Sequence, residues 1–306
     1  MRHFLTLADF TPDEFMALLT LGEKLKSEKK QGIPHPILKG KSLGMIFSKS
    51  STRTRVSFKV GMYQLGGQAL YLNQNDIQLG RGESIYDTAN VLSRFLDGIM
   101  IRTYDHADVE GLAEYGQIPI INGLTDYLHP TQIVADLITV HETKGRLEGL
   151  KFAYLGDGNN VANSLLHGCA LAGADITVAS PAGYTCAEKV VDEARSIASK
   201  TGSKIVMTDD PEEAATGADV MITDTWTSMG QEDEKQERIK IFSPYQVNDH
   251  IMRMTADGSM FLHCLPAYRG YEVTTSVIDG ERSFIFDEAE NRLHAHKAIM
   301  VTCMAD

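Results

Sequence analysis

The sequence predicts an α/β protein built from two doubly wound parallel-sheet domains joined by interdomain helices. Short apolar strands alternate with helical segments along nearly the whole chain, the pattern of parallel sheets covered on both faces. The alternation breaks once, at Lys144–Leu150 (KGRLEGL), and then restarts. A length of 306 residues, 43% hydrophobic and 23% charged, supplies about two cores at roughly 100–200 residues per domain. The expected boundaries are 1–145 for the first domain, completed by a C-terminal helix at about 289–306, and 150–285 for the second.

The first helix is expected over 11–30, with Thr11 as cap, Pro12 at the first helical position and Asp13-Glu14 in the opening turn. Phe15, Leu18, Leu19, Gly22 and Leu25 recur at helical spacing along one face. A Gly/Pro-rich connection leads to a buried strand Ser42–Phe47, then a helix from about Thr52 to Leu65 with Val56, Val60 and Tyr63 on one face. Strand Gln68–Leu72, helix Ser84–Phe95, strand Gly98–Ile101, helix Val109–Tyr115, strand Ile118–Asn122 and helix Pro130–Thr143 follow. After the break come strand Lys151–Leu155, a Gly-Asp-Gly-Asn-Asn turn, helix Val161–Ala172, strand Asp175–Ala179, helix Thr185–Thr201 and strand Lys204–Thr208. A short helix and strands Val220–Thr223 and Met260–His263 complete the set. Ligands of such sheets gather beyond the carboxyl ends of the strands, so those loops are where chemistry is expected.

Composition excludes several classes. No apolar run approaches the ~18–20 residues of a membrane helix, and MRHFLTLADFTPDEF lacks a signal-peptide core, so a cytoplasmic protein is expected. A net charge of −12 argues against general binding to nucleic acid or anionic membrane, and an anionic ligand would need a local concentration of Arg. Cys169, Cys186, Cys264 and Cys303 have neither C-x-x-C spacing nor a disulfide framework, which reads as free thiols in a reducing compartment. His and Cys are scattered, and His294 and His296 would diverge by about 200° on a helix, so no metal site is expected.

The strongest local signal is Ser48-Lys49-Ser50-Ser51-Thr52-Arg53-Thr54-Arg55, between a strand and a helix. Hydroxyls, positive charges and the amides of a helix N-terminus suit a phosphate, although a capped helix with exposed basic residues is the plainer alternative. No Walker A loop is present. Gly156-Asp157-Gly158-Asn159-Asn160 invites a dinucleotide reading, but Val161 stands where the third small residue belongs and the next strand ends without an acid, which disfavours NAD. Asp224 directly follows a buried strand and is the acid best placed to take an amino group, while Glu232, Asp233 and Glu234 read as a solvated turn.

Four motifs carry a resemblance. Ser51-Thr52-Arg53-Thr54-Arg55 resembles the STRTR carbamoyl-phosphate motif of the transcarbamylases, and His129-Pro130-Thr131-Gln132 resembles their HPTQ motif. Asp224-Thr225-Trp226-Thr227-Ser228-Met229-Gly230 resembles the D-x-x-x-S-M-G loop of the ornithine branch, and His263-Cys264-Leu265-Pro266 its HCLP motif. All four stand in the family's order and at its spacing, over essentially the whole chain. Tyr268, just beyond the last, stands where the family more often has His.

What the resemblance implies is transfer of a carbamoyl group from carbamoyl phosphate to L-ornithine, giving L-citrulline and phosphate, with no metal or organic cofactor. It places Ser51, Thr52, Arg53, Thr54, Gln78, Arg102, His129, Gln132 and Arg292 on carbamoyl phosphate, and Asn160, Asp224, Ser228, Met229, Cys264 and Leu265 on ornithine. Arg102, His129 and Cys264 would do the chemistry, and Gln78 would reach a neighbouring subunit's site in a homotrimer or a multiple of it. Taken singly, Arg102 and Arg292 also read as surface arginines, His129 as a structural histidine, Asn160 as a helix cap and Cys264 as an inert buried thiol. Putrescine and N-acetylornithine remain rival acceptors, and an NAD-dependent dehydrogenase or a non-catalytic relative the rival classes.

Overall fold

The computed structural model describes residues 1–227 and 232–305. The chain forms two units, Met1–Ile138 with Glu290–Asp306, and Thr139–Ala289. In the first unit, α1 (Pro12–Lys30) opens on a complete capping box: Thr11 Oγ accepts the Glu14 N–H and the Glu14 carboxylate accepts the Thr11 N–H. There follow β1 (Ser42–Phe47), α2 (Thr52–Gln64), β2 (Gln68–Asn73), α3 (Ile85–Leu92), β3 (Gly98–Arg102), α4 (His106–Tyr115), β4 (Ile120–Leu124) and α5 (Pro130–Lys144). The four strands are parallel in the order β2-β1-β3-β4. Ile46, Ile99, Ile101 and Ile120 from this sheet pack with Val109 and Leu112 of α4.

The second unit carries β5 (Lys151–Leu155), α6 (Asn160–Leu171), β6 (Asp175–Ala179), α7 (Glu188–Thr201), β7 (Ile205–Thr208), α8 (Pro211–Ala215) and β8 (Val220–Thr223). It continues through α9 (Lys235–Phe242), α10 (Asp249–Met254), β9 (Met260–Leu262) and α11 (Thr275–Ile278) into α12 (Ile285–Met304), whose residues from Glu290 onward belong to the first unit. Its five strands are parallel in the order β7-β6-β5-β8-β9. Among the described residues no helix is long and apolar enough to cross a membrane.

The alternation expected from the sequence is therefore present, with ends that shift by a few residues. The helix expected over Ser84–Phe95 is shorter, Ile85–Leu92, with Ser84 as its cap. The one expected over Val109–Tyr115 is longer, beginning at His106 behind the cap Asp105. Strand β4 is displaced two residues toward the C-terminus of its expected range. The larger difference concerns α2. Val56, Val60 and Tyr63 do share a face, but it is exposed, Tyr63 by 80%. The buried face is Thr54, Ser57, Phe58, Gly61 and Met62. It packs on α12: Thr54 bonds Arg292, Phe58 stacks on His296 at 3.9 Å, and a Cβ on Gly61 would lie 3.0 Å from Met300 and 3.2 Å from Lys297. A polar face is buried here because the partner helix returns its hydrogen bonds.

In each sheet the strand order reverses beside the first strand, between β1 and β3 and between β5 and β8. In sheets of this kind ligands bind beyond the carboxyl ends of the strands at such switch points. The STRTR segment follows β1 and Arg102 ends β3; the Gly-Asp-Gly-Asn-Asn turn follows β5 and Asp224 follows β8.

Candidate active site

In the first unit α2 begins at Thr52 with Ser51 as cap, its Oγ accepting the Thr54 N–H at 3.2 Å. Thr52 is exposed and Arg53 half-buried. The other two cations of the segment are turned to protein partners: Lys49 pairs with Asp126, and the Arg55 guanidinium lies 3.6 Å from the centre of the Tyr71 ring. Of the three charges read from the sequence as available to a phosphate, Arg53 is the one whose field reaches His129.

Gln132 and Arg292 form a buried bracket around the same turn. The Arg292 guanidinium donates to Gln132 Oε1 and, at 2.7 Å, to Thr54 Oγ. Gln132 Nε2 donates to Asp136 Oδ1 at 2.7 Å, so the amide has its oxygen toward Arg292. Asp136 is four residues beyond Gln132 on α5 and was not singled out in the sequence, although i,i+4 spacing puts the two on one helix face. His129, 4% exposed, precedes α5. Its pKa is pushed well below the ordinary value, first by burial, then by Arg292, Arg102, His296 and Arg53. The ring is neutral at pH 7. Thr131 Oγ lies 3.4 Å from Nδ1, a contact that a ring with its hydrogen on Nε2 would accept.

Among the described residues no hydrogen bond joins the Gln78 side chain to this cluster; Gln78 is exposed and begins the 3₁₀ turn Gln78–Arg81, closed by Gly82 at φ +95°.

In the second unit Asn159 caps α6, its Oδ1 accepting the N–H groups of Val161 and Ala162 at 3.0 and 3.2 Å. Its Nδ2 donates to Asp224 Oδ2 at 2.9 Å, and Asp224 Oδ1 accepts from the Thr225 N–H at 2.8 Å and the Cys264 thiol at 3.1 Å. The capping role therefore belongs to Asn159, leaving Asn160 as the first helical residue, half-buried at a helix N-terminus suited to a carboxylate. Leu265 takes φ +57°, and its peptide bond to Pro266 is cis. Its N–H donates to His263 Nδ1 at 2.9 Å. Ser228 and Met229 lie outside the described residues.

Asp224, His263 and Cys264 bring one ligand-type atom each within 4.8 Å of one another, so the reading of His and Cys as scattered fails in space here. Parallel pairing of β8 with β9 causes it, since Ile222 opposite Leu262 brings the residues two further along to the same level. Both His263 nitrogens are engaged, Nδ1 with Leu265 and Nε2 with Glu272 at 3.3 Å, so metal ligation would break one of those contacts.

A second feature absent from the sequence reading is the clasp between Asp157 and Arg238. The Arg238 guanidinium donates to the Asp157 carboxylate and to the Trp226 carbonyl, and lies about 5 Å from the rings of Tyr184 and Phe242. It ties the turn before α6 to the segment that follows Asp224. Burial outweighs the pull of Arg238 and pushes Asp157 up to about 6.

Family models match both parts of the chain. The carbamoyl-P binding domain of aspartate/ornithine carbamoyltransferase matches residues 2–142, and the Asp/Orn binding domain matches residues 148–303. The ornithine carbamoyltransferase of Caldicellulosiruptor saccharolyticus is 60% identical over 301 residues, 98% of each chain. Among solved structures, the enzyme of that name from Pyrococcus furiosus superposes with a TM-score of 0.96 at 52% identity, covering 99% of this chain and 97% of the other. The Thermus thermophilus counterpart gives 0.88 at 41% identity, covering 98% of each.

Proposed function

This chain belongs to the aspartate/ornithine carbamoyltransferase family, and on that basis we propose that it transfers the carbamoyl group of carbamoyl phosphate to L-ornithine, releasing L-citrulline and phosphate. The observation that carries the reading is the buried bracket in which Arg292 of α12 bonds Thr54, after β1, and Gln132, after β4, with Arg102 at the end of β3 and Arg53 near enough to act on the buried His129. A phosphate dianion and a polarisable carbonyl are what such a group of donors suits.

In this proposal residues 1–145 with about 289–306 hold carbamoyl phosphate. The first-turn amides of α2, the hydroxyls of Ser51, Thr52 and Thr54, and Arg53, Arg102 and Arg292 take the phosphate. His129 Nε2–H donates to the carbonyl oxygen, and Gln132 Oε1 accepts from the carbamoyl amino group while also accepting from Arg292. Residues 150–285 hold ornithine, with Asn160 toward the carboxylate, Asp224 toward the α-amino group, and Cys264 with the Leu265 carbonyl beside the reacting amine. The thiol donates to Asp224 at 3.1 Å and is assigned here as a polar contact, with no covalent thiol intermediate.

The attacking nitrogen must be neutral, because an ammonium has no lone pair. With a pKa near ~10.4, only about one side-chain amine in a few hundred is neutral at pH 8. Attack gives a tetrahedral intermediate whose oxyanion faces the His129 donor, and phosphate leaves with its charge held by the arginines. Binding geometry and fixed charge supply the catalysis, with reacting atoms brought to about 3–3.5 Å. We also infer a cytoplasmic homotrimer in arginine metabolism. Four free cysteines and the exposed apolar face of Val56, Val60 and Tyr63 support that inference.

Steady-state assays across ornithine, putrescine, N-acetylornithine and aspartate test the activity. Citrulline formation with ornithine preferred is expected, and preference for another amine would overturn the acceptor assignment. Arg53→Ala is expected to abolish measurable carbamoyl phosphate binding, and near-normal turnover in that variant would refute the site.

A further inference from the structure

Lys49 stands in the loop between β1 and α2, with a side chain only 3% exposed. Its ammonium makes two contacts, both in other loops: the carboxylate of Asp126, between β4 and α5, and the face of Tyr104, just beyond β3, at 4.2 Å from the ring centre. Backbone bonds join the same three loops. Ser48 N–H donates to the Arg102 carbonyl at 2.8 Å, Thr103 N–H to that of Leu124 at 3.0 Å, and Asp126 N–H to that of Tyr104 at 2.9 Å. Each loop leads into a different part of the anion site: Ser51–Thr54 after β1, Arg102 at the end of β3, and His129 with Gln132 after β4.

We propose that Lys49 is a positioning residue, a clamp that holds these three loops in register so that the groups they carry converge on one ligand, and that it does not itself bind the phosphate. A lysine two residues before a phosphate-type helix cap would ordinarily be counted as an anion ligand. Here a carboxylate and an aromatic face take up its charge. Asp126 is 60% exposed and its carboxylate stays hydrated without Lys49, but the ammonium is buried, so loss of the Asp126 carboxylate leaves it under-satisfied and lets the loops separate. The inference rests on the carbamoyl phosphate reading above.

The test is a double-mutant cycle of Lys49→Met and Asp126→Asn, read by the KM for each substrate in full-length protein. With a clamp, each single variant raises the KM for carbamoyl phosphate by on the order of ten- to a hundredfold, the effect of displacing binding groups by a fraction of an ångström to an ångström. The double variant is no worse than either single one, because both remove the same linkage. The KM for ornithine moves by less than about twofold in all three, which a general loss of folding would not produce. If Lys49 were a phosphate ligand, Asp126→Asn would release its ammonium and leave carbamoyl phosphate affinity unchanged or raised; that outcome, or losses that add in the double variant, overturns the proposal. Should Asp126→Asn fail to fold with a buried charge exposed to no partner, Tyr104→Leu replaces it: a severalfold rise in the same KM supports the clamp and an unchanged KM overturns it. Wild-type protein that forms no citrulline would instead defeat the reading on which the clamp rests.

Discussion

Asp224 offers a test that separates holding the fold from holding the substrate. At 6% exposure its two oxygens accept three hydrogen bonds, from Thr225, Cys264 and Asn159. Asp224→Asn is therefore more than removal of a charge. Whichever way the new amide turns, its NH2 meets a donor, either the Thr225 N–H or the Asn159 NH2. An unsatisfied buried donor costs about 1–3 kcal/mol of stability, and losing the charged acceptor for a ligand ammonium costs binding about 1.5–3 kcal/mol. At 1.36 kcal/mol per decade, the second figure is about a ten- to 150-fold rise in the KM for ornithine. Exchanging the pair, Asn159→Asp with Asp224→Asn, should cancel the first loss and keep the second. A carboxylate at 159 still accepts the Val161 and Ala162 amides and now accepts from the amide at 224, but the negative charge has moved to the cap of α6. Urea unfolding and steady-state kinetics read the two separately. The exchanged protein should recover to within about 1 kcal/mol of wild-type stability while its ornithine KM stays at least about tenfold raised. Recovery of both would mean that the charge of the pair, wherever it sits, recognises the amine, and the assignment of that role to Asp224 would be refuted.

Gly158→Ala should be severe, because a Cβ there would lie 2.2 Å from the backbone of Thr185 and Cys186. We expect a loss of about 1–3 kcal/mol or more and a collapse of ornithine affinity with carbamoyl phosphate binding kept, measured by thermal unfolding and by calorimetry with each ligand alone. Lys297 is buried, and burial, with Lys29 nearby, lowers its pKa from 10.5 to about 8. Between those values the unfolded chain binds the proton and the folded one does not, so this residue makes stability rise with pH across the window. Two and a half units correspond to about 3 kcal/mol at most. Urea midpoints at about pH 7.5 and about pH 10 should show Lys297→Met lacking that part of the rise, and an unchanged slope would assign it elsewhere.

The elements were legible because parallel strands buried on both faces leave long apolar runs and glycine-rich turns, as at Ser42–Phe47 and Lys151–Asn160. Partners were not legible, because periodicity describes a helix and not what it meets. Val56, Val60 and Tyr63 share a face as the spacing indicates, yet that face is exposed and Thr54, Ser57 and Phe58 are buried, since Arg292 and His296 reach them from more than two hundred residues away. Lys49 and Arg55 read as charges for a ligand until Asp126 and Tyr71 appear beside them. Asp157 was visible only as a turn residue because Arg238, its partner, lies on α9.

The same limit explains how a chain of net charge −12 can be proposed to hold a dianion. Net charge acts over distances comparable to the Debye length, about 8 Å at physiological ionic strength, whereas binding is decided inside it by groups that solvent cannot screen. Arg292, Arg102 and Arg53 act on His129 with positive charge, and burial keeps the ring itself neutral. Gathering like charges is unfavourable for the fold, and a phosphate dianion among them turns that repulsion into attraction without further movement of the donors. A neutral His129 matters in the same way. A charged imidazole would join the repulsion and compete for the phosphate, while the neutral ring can give its one hydrogen to the carbonyl oxygen, where charge develops only as the amine attacks.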